Sequence, residues 1–240
     1  MIGALEAPTP TLGMIDQLLR DRDAMLARIA AGRDLAATTR TMVATIAITM
    51  AIVGAALGSY RGGLQIGYAA IKLPLVLLGT AALSAPALTA IGASLGRRGR
   101  LTADLALVIT ALAFGAMLLA ACTPLILLGR TMDLSYHHMV LGTVAMFALA
   151  GIASLRMIIH ALGIETGPGR GSAIVGLCVV FALVGGQLSW ALRPYLVRPR
   201  TEEVPFVREV EGSLFDAVTG ALRSARGIYV RDRAPLPGED

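Results

Sequence analysis

Charged residues are scarce in this 240-residue chain, at 15% against about a quarter in an average soluble domain. With hydrophobic residues at 55% and a mean hydropathy of +0.71, that scarcity excludes a disordered, solvated chain. Aromatics are also few, at 5% with a single tryptophan. The net charge of +5 therefore has no basic stripe interleaved with stacking rings behind it, and we read no nucleic-acid partner. Arginines at the ends of apolar segments fit anionic headgroups and membrane topology instead.

Cysteine is nearly missing. Cys122 and Cys178 form no C-x-x-C pair and sit inside apolar runs, where a thiol is a small packing group. Catalytic signatures are missing too: the chain has no G-x-S-x-G, H-E-x-x-H or P-loop. Residues 167–171 are glycine-rich but lack the lysine of a phosphate loop, and read as a flexible connection. No catalytic residue, cofactor or metal site is expected. The first forty residues show no signal-peptide pattern, so the first apolar run is expected to act as an uncleaved insertion signal.

What the chain does have is five long apolar runs, at 41–59, 66–91, 103–128, 136–162 and 172–192. A hydrocarbon core about 30 Å thick takes about 20 apolar residues of helix to cross. The expected fold is all-α, a polytopic transmembrane bundle of about five spans. Residues 1–40 form a cytoplasmic N-terminal segment, 41–193 the bundle, and 194–240 a proline-rich tail. The second run holds Pro74 and Pro86, which predict a tilted, kinked helix, with a broken segment as the alternative. Pro124 predicts a weaker bend in the third.

From Thr11 to Asp34 the pattern changes. Leu12, Ile15, Leu18, Leu19, Met25, Leu26 and Ile29 recur at helical spacing, with Asp16, Arg20, Asp23 and Arg33 opposite. That is an amphipathic helix, suited either to a membrane surface or partner, or to packing on the end of the bundle. In the tail, Ser213 and Asp216 resemble a helix start, and Leu214, Phe215, Val218 and Leu222 give it an apolar face. A helix that short needs a surface to dock on.

Arginine counts set the orientation. With the N-terminus in the cytoplasm, Arg28, Arg33, Arg40, Arg97, Arg98, Arg100 and Arg170 lie inside, against Arg61 and Arg130 outside. Five crossings would put Arg193, Arg198 and Arg200 outside, against the rule.

Among polar residues within the runs, Lys72 stands out, two turns into the second run beside Pro74. It would bind an anion or gate a pathway, or else snorkel to the interface on its four-carbon stem. Arg156 and His160, one turn apart, complement the helix dipole at the end of the fourth run. A proton relay there would need Glu165. His137 and His138 are adjacent and so point to different helix faces, unlike a chelating pair. Gln187 is expected to bond across to another helix, and Trp190 with Arg193 to anchor the fifth run at the interface. Gly54, Gly58 and Gly62 repeat at four-residue spacing, which lets two helices approach closely, within the chain or between copies.

The segments Ile71-Lys-Leu-Pro-Leu75, Ser84-Ala-Pro-Ala-Leu88, Thr123-Pro-Leu125 and Tyr136-His-His-Met-Val-Leu141 together resemble an uncharacterised family of bacterial multi-pass inner-membrane proteins. So do Gln187-Leu-Ser-Trp190-Ala-Leu-Arg193-Pro and Glu211-Gly-Ser-Leu-Phe215-Asp-Ala-Val218. Some members of that family are labelled actin-binding domain proteins, for which no residue here provides a reason. By its pattern Lys72, Pro74, Pro86, Pro124, Gln187, Trp190, Arg193 and Pro194 are defining. The five-span plan also resembles the Yip family in architecture alone. Neither resemblance brings catalytic residues. The expected role is a non-enzymatic scaffold or accessory subunit in the bacterial inner membrane, embedded in the lipid bilayer. Its partner would be a membrane or cytoplasmic protein, or another copy of the chain as a homo-oligomer. The alternative is a small channel or transporter using Lys72 and the kinked second run.

Overall fold

The computed structural model describes residues 10–94, 96, 100–132, 134, 136–163, 170–192, 195, 197 and 206. By contacts the chain divides into Met1–Arg208 and Glu209–Asp240. All of the second unit lies outside the described residues, and so does the helix expected near 213–227. Among the described residues every regular element is an α-helix.

Two short helices come first, α1 (Pro10–Arg20) and α2 (Arg22–Ala30). The single amphipathic helix expected here is broken at Asp21. That residue leaves the helical region, and its carboxylate accepts a 3.1 Å hydrogen bond from the Ala24 amide, capping α2. The break lets both apolar faces turn onto the bundle. Leu18, Met25 and Ile29 are almost fully buried, whereas Leu19, expected on the same face, points outward. Of the two uses foreseen for this segment, the described residues show packing on the bundle.

The long helices are α3 (Leu35–Gly58), α4 (Leu64–Ser94), α5 (Leu101–Ala121), α7 (Tyr136–Ala161) and α8 (Arg170–Ala191). A nine-residue helix, α6 (Thr123–Thr131), continues α5 after a turn at Cys122. Pro124 thus begins a helix rather than bending one, in the first turn where a missing N–H is tolerated. Five stretches are long and apolar enough to cross a membrane, at Leu35–Gly58, Leu64–Ser94, Leu101–Thr131, His138–Ala161 and Gly171–Ser189. The second run is one continuous helix with Pro74 and Pro86 inside it, not a broken segment.

The helices α3, α4 and α5 form the centre. The principal contacts are α3 with α4 and α5, while α7 rests on α5 and α8 on α4. Met42, Ile46, Met50 and Val53 of α3 meet Ala106, Val108 and Ala113 of α5 in the core. Small residues let the backbones approach. A Cβ at Gly54 would collide with the Ala69 carbonyl, and one at Gly58 with that of Gln65. Between α3 and α4 the chain reverses through Gly62 and Gly63, both at positive φ (+87° and +61°), where a side chain would be strained. Gly62 therefore serves the turn, with open space around it, and is not a third member of the α3 packing ladder.

Candidate functional sites

The first site is built around Lys72. Its position on α4 turns it towards the protein, and it is fully buried. Among the described residues its Nζ has no hydrogen-bond partner, and it lies 5.1 Å from the centre of the Phe206 ring. Phe206 also meets the Tyr68 ring edge-on, at 5.3 Å between centroids. A cation over an aromatic face is attracted by the ring quadrupole, and the Phe206 ring supplies that face. The ammonium is enclosed by protein, beside Phe206 and one helical turn from Tyr68 towards the start of α4. Nothing in the spacing of the sequence joins Lys72 to Phe206.

The second site lies where α2 meets the end of α7. His160 Nε2 stands 3.2 Å from Asp23 Oδ1, and the Arg22 guanidinium lies 4.7 Å above the ring of Phe114 on α5. Arg156 lines the same cavity, of about 640 Å³. The pairing of Arg156 and His160 in one place was legible as a one-turn spacing. Their carboxylate neighbour was not: the relay partner considered from sequence, Glu165, lies outside the described residues, while Asp23 arrives from the N-terminal segment.

A buried polar link joins α4 and α5. The Thr89 hydroxyl donates to Asp104 Oδ2 at 2.9 Å, and Asp104 is fully buried. From sequence Asp104 stood at the mouth of its run, without an assigned partner. Gly115 of α5 is a further close approach missed from sequence, for a Cβ there would strike Ser154 and the Ala150 carbonyl of α7.

The remaining expected residues are spread out. Gln187 on α8 is exposed and makes no bond to another helix among the described residues, because α8 touches the bundle along only one side. Cys122 is partly buried at the α5–α6 junction, and Cys178 faces outward instead of packing inside. His138 is exposed; the side chains of His137 and Trp190, and all of Arg193 and Pro194, lie outside the described residues. Among the described residues no three histidines, cysteines or carboxylates are grouped to hold a metal ion. Near the end of α8, the Tyr195 hydroxyl donates to the Ser189 carbonyl at 3.0 Å. Burial pushes that phenol up to about 12.

The fold thus defines a class, an all-helical bundle with five helices of membrane-crossing length and apolarity. No protein family, curated protein or solved structure matches the chain.

Proposed function

We propose that the chain is an integral multi-pass protein of the bacterial inner membrane, acting as a non-enzymatic scaffold or accessory subunit of a membrane complex. The observation that carries the membrane reading is the outward face of α7 and α8. Leu141, Val144, Leu149 and Ile152 on α7, and Val175 and Val179 on α8, all stand about half or more exposed. Helices apolar on all sides need lipid or another protein around them. The N-terminus is assigned to the cytoplasm. What supports this is the arginine distribution, together with the gathering of Arg28, Arg33, Arg40 and Arg156 at the end of the bundle where α3 begins and α7 ends. The scaffold role rests on the segments that precede and follow the five apolar runs in the sequence, neither of which carries a catalytic constellation.

Cross-linking and co-purification from the native membrane tests this role. Deleting residues 209–227 is expected to abolish recovery of the partner while the protein remains in the pellet after alkaline extraction. Unchanged recovery would count against the scaffold, and release from the pellet against the membrane reading.

A second reading, a small channel or transporter, is favoured by one observation: Lys72 is buried beside a helix proline, without a hydrogen-bond partner among the described residues. It expects Lys72→Ala to remove flux in reconstituted vesicles and Lys72→Arg to retain part of it. Unaltered flux in Lys72→Ala would end that reading.

A further inference from the structure

The cavity between α2 and the end of α7 combines charge and grease in a way neither reading uses. Its charged lining comes from the α1–α2 junction and from α7, and its apolar wall from Phe114, Leu118 and Met157. The acids around it are already engaged. Asp21 caps the Ala24 amide, and Asp23 faces His160 at 3.2 Å. Arg20 is engaged as well, in a 2.6 Å pair with Asp16. Arg22 and Arg156 remain: Arg22 lies over the Phe114 ring, and neither guanidinium has an ion pair among the described residues.

Resting on the membrane reading above, we propose that this cavity binds the phosphodiester headgroup of an anionic phospholipid, with Arg22 and Arg156 as the two cationic arms. Guanidinium forks match phosphate oxygens in number and geometry, and charge-assisted bonds of this kind are the strong ones. Depth agrees with the chemistry. Arg156 lies five residues before the end of α7 at Ala161, about 8 Å at a rise of 1.5 Å per residue. Headgroup layers add about 5–8 Å on each side of the hydrocarbon core. A long arginine side chain spans the remainder. Beyond the cavity, exposed Leu149 and Ile152 on α7 continue the apolar surface along which acyl chains would lie. A free phosphate would use the arms but leave that wall uncovered, so the lipid is the occupant assigned.

The test uses the full chain purified in detergent and doped with phosphatidylglycerol or phosphatidylcholine, with retained lipid read by native mass spectrometry. The wild type is expected to keep phosphatidylglycerol in preference. The Arg22→Gln/Arg156→Gln pair is expected to bind it about tenfold more weakly, as losing charge-assisted contacts predicts. Arg22→Lys/Arg156→Lys should retain part of the preference, and Arg130→Gln, on α6 and outside the cavity lining, all of it. Arg156→Gln alone, at an exposed position, provides a variant with little folding risk and should show an intermediate loss. Equal retention by wild type and the double glutamine variant would overturn the site, as would an equal loss in Arg130→Gln. Displacement of the lipid by millimolar inorganic phosphate would overturn the lipid as occupant. Alkaline extraction reads the membrane reading separately: release of the wild type from the pellet would bring down both, whereas unselective lipid retention by a pelleting protein brings down the site alone.

Discussion

The central helices and the flanking ones have similar composition but different surroundings. In the most apolar windows of Leu35–Gly58 and Leu101–Thr131, 56% and 61% of residues are buried inside the protein, against 17% and 11% for His138–Ala161 and Gly171–Ser189. Mean hydropathy does not separate them, at 2.0 and 2.5 against 1.8 and 2.0. Apolar character alone therefore says that a helix leaves water, not what it leaves water for. Small residues make the difference. The α3–α4 contact is closed by Gly54 and Gly58 against backbone carbonyls, whereas Gly142 and Gly151 of α7 have open space where a Cβ would be.

That contrast breaks most sharply at the glycines. Gly54→Leu or Gly58→Leu is expected to cost about 3 kcal/mol or more, because backbone atoms and not movable side chains occupy the space. Gly151→Leu, on the outer face, should leave stability the same or slightly raised. Thermal unfolding in detergent measures both, and equal effects would erase the distinction between the two regions.

A smaller effect is expected within the central region. Lys72→Met keeps the length of the side chain and removes an amine that has no hydrogen-bond partner among the described residues, so it should stabilise the fold by about 1–3 kcal/mol. A lower melting temperature would mean that the contact with Phe206 more than offsets the burial of the amine.

The smallest effect is at the edge of the flanking region. Tyr195 has a folded pKa of about 12, above the unfolded value near 10. Its contribution to stability is complete below pH 10 and falls as pH rises from there through 12. Following tyrosinate absorbance in alkali should show a tyrosine ionising late, and Tyr195→Phe should remove that late step while flattening the alkaline loss of stability. A titration unchanged in Tyr195→Phe would refute the assignment.

Periodicity and run length were enough to read the five long helices, because helix-length apolar segments leave a signal that depends only on neighbours along the chain. The ends of elements were read less well. Asp21 divides one amphipathic pattern into two helices through a single cap, and Pro124 opens α6 rather than bending α5. The candidate sites were legible only in halves. Arg156 and His160 share a helix, so their spacing showed, but Asp23 and Arg22 reach them from far along the chain. Lys72 was marked by its type and depth, while Phe206 was not, since no local rule couples residues so distant. The stripe of Gly54 and Gly58 was correctly placed, and Gly62 failed because spacing alone does not say where the helix ends.

The cover over Lys72 also carries a consequence for biosynthesis. The ribosome releases Phe206 roughly 130 residues after Lys72, a delay on the order of 10 s at about 5–20 residues per second. During that interval α4 already exists and its lysine has no ring above it. The nascent protein must therefore pass through a stage in which this amine is held by water, by a lipid phosphate or by an assembly factor, and contact with the Phe206 ring marks the end of that stage. An amine-reactive probe applied to stalled chains of increasing length would time it.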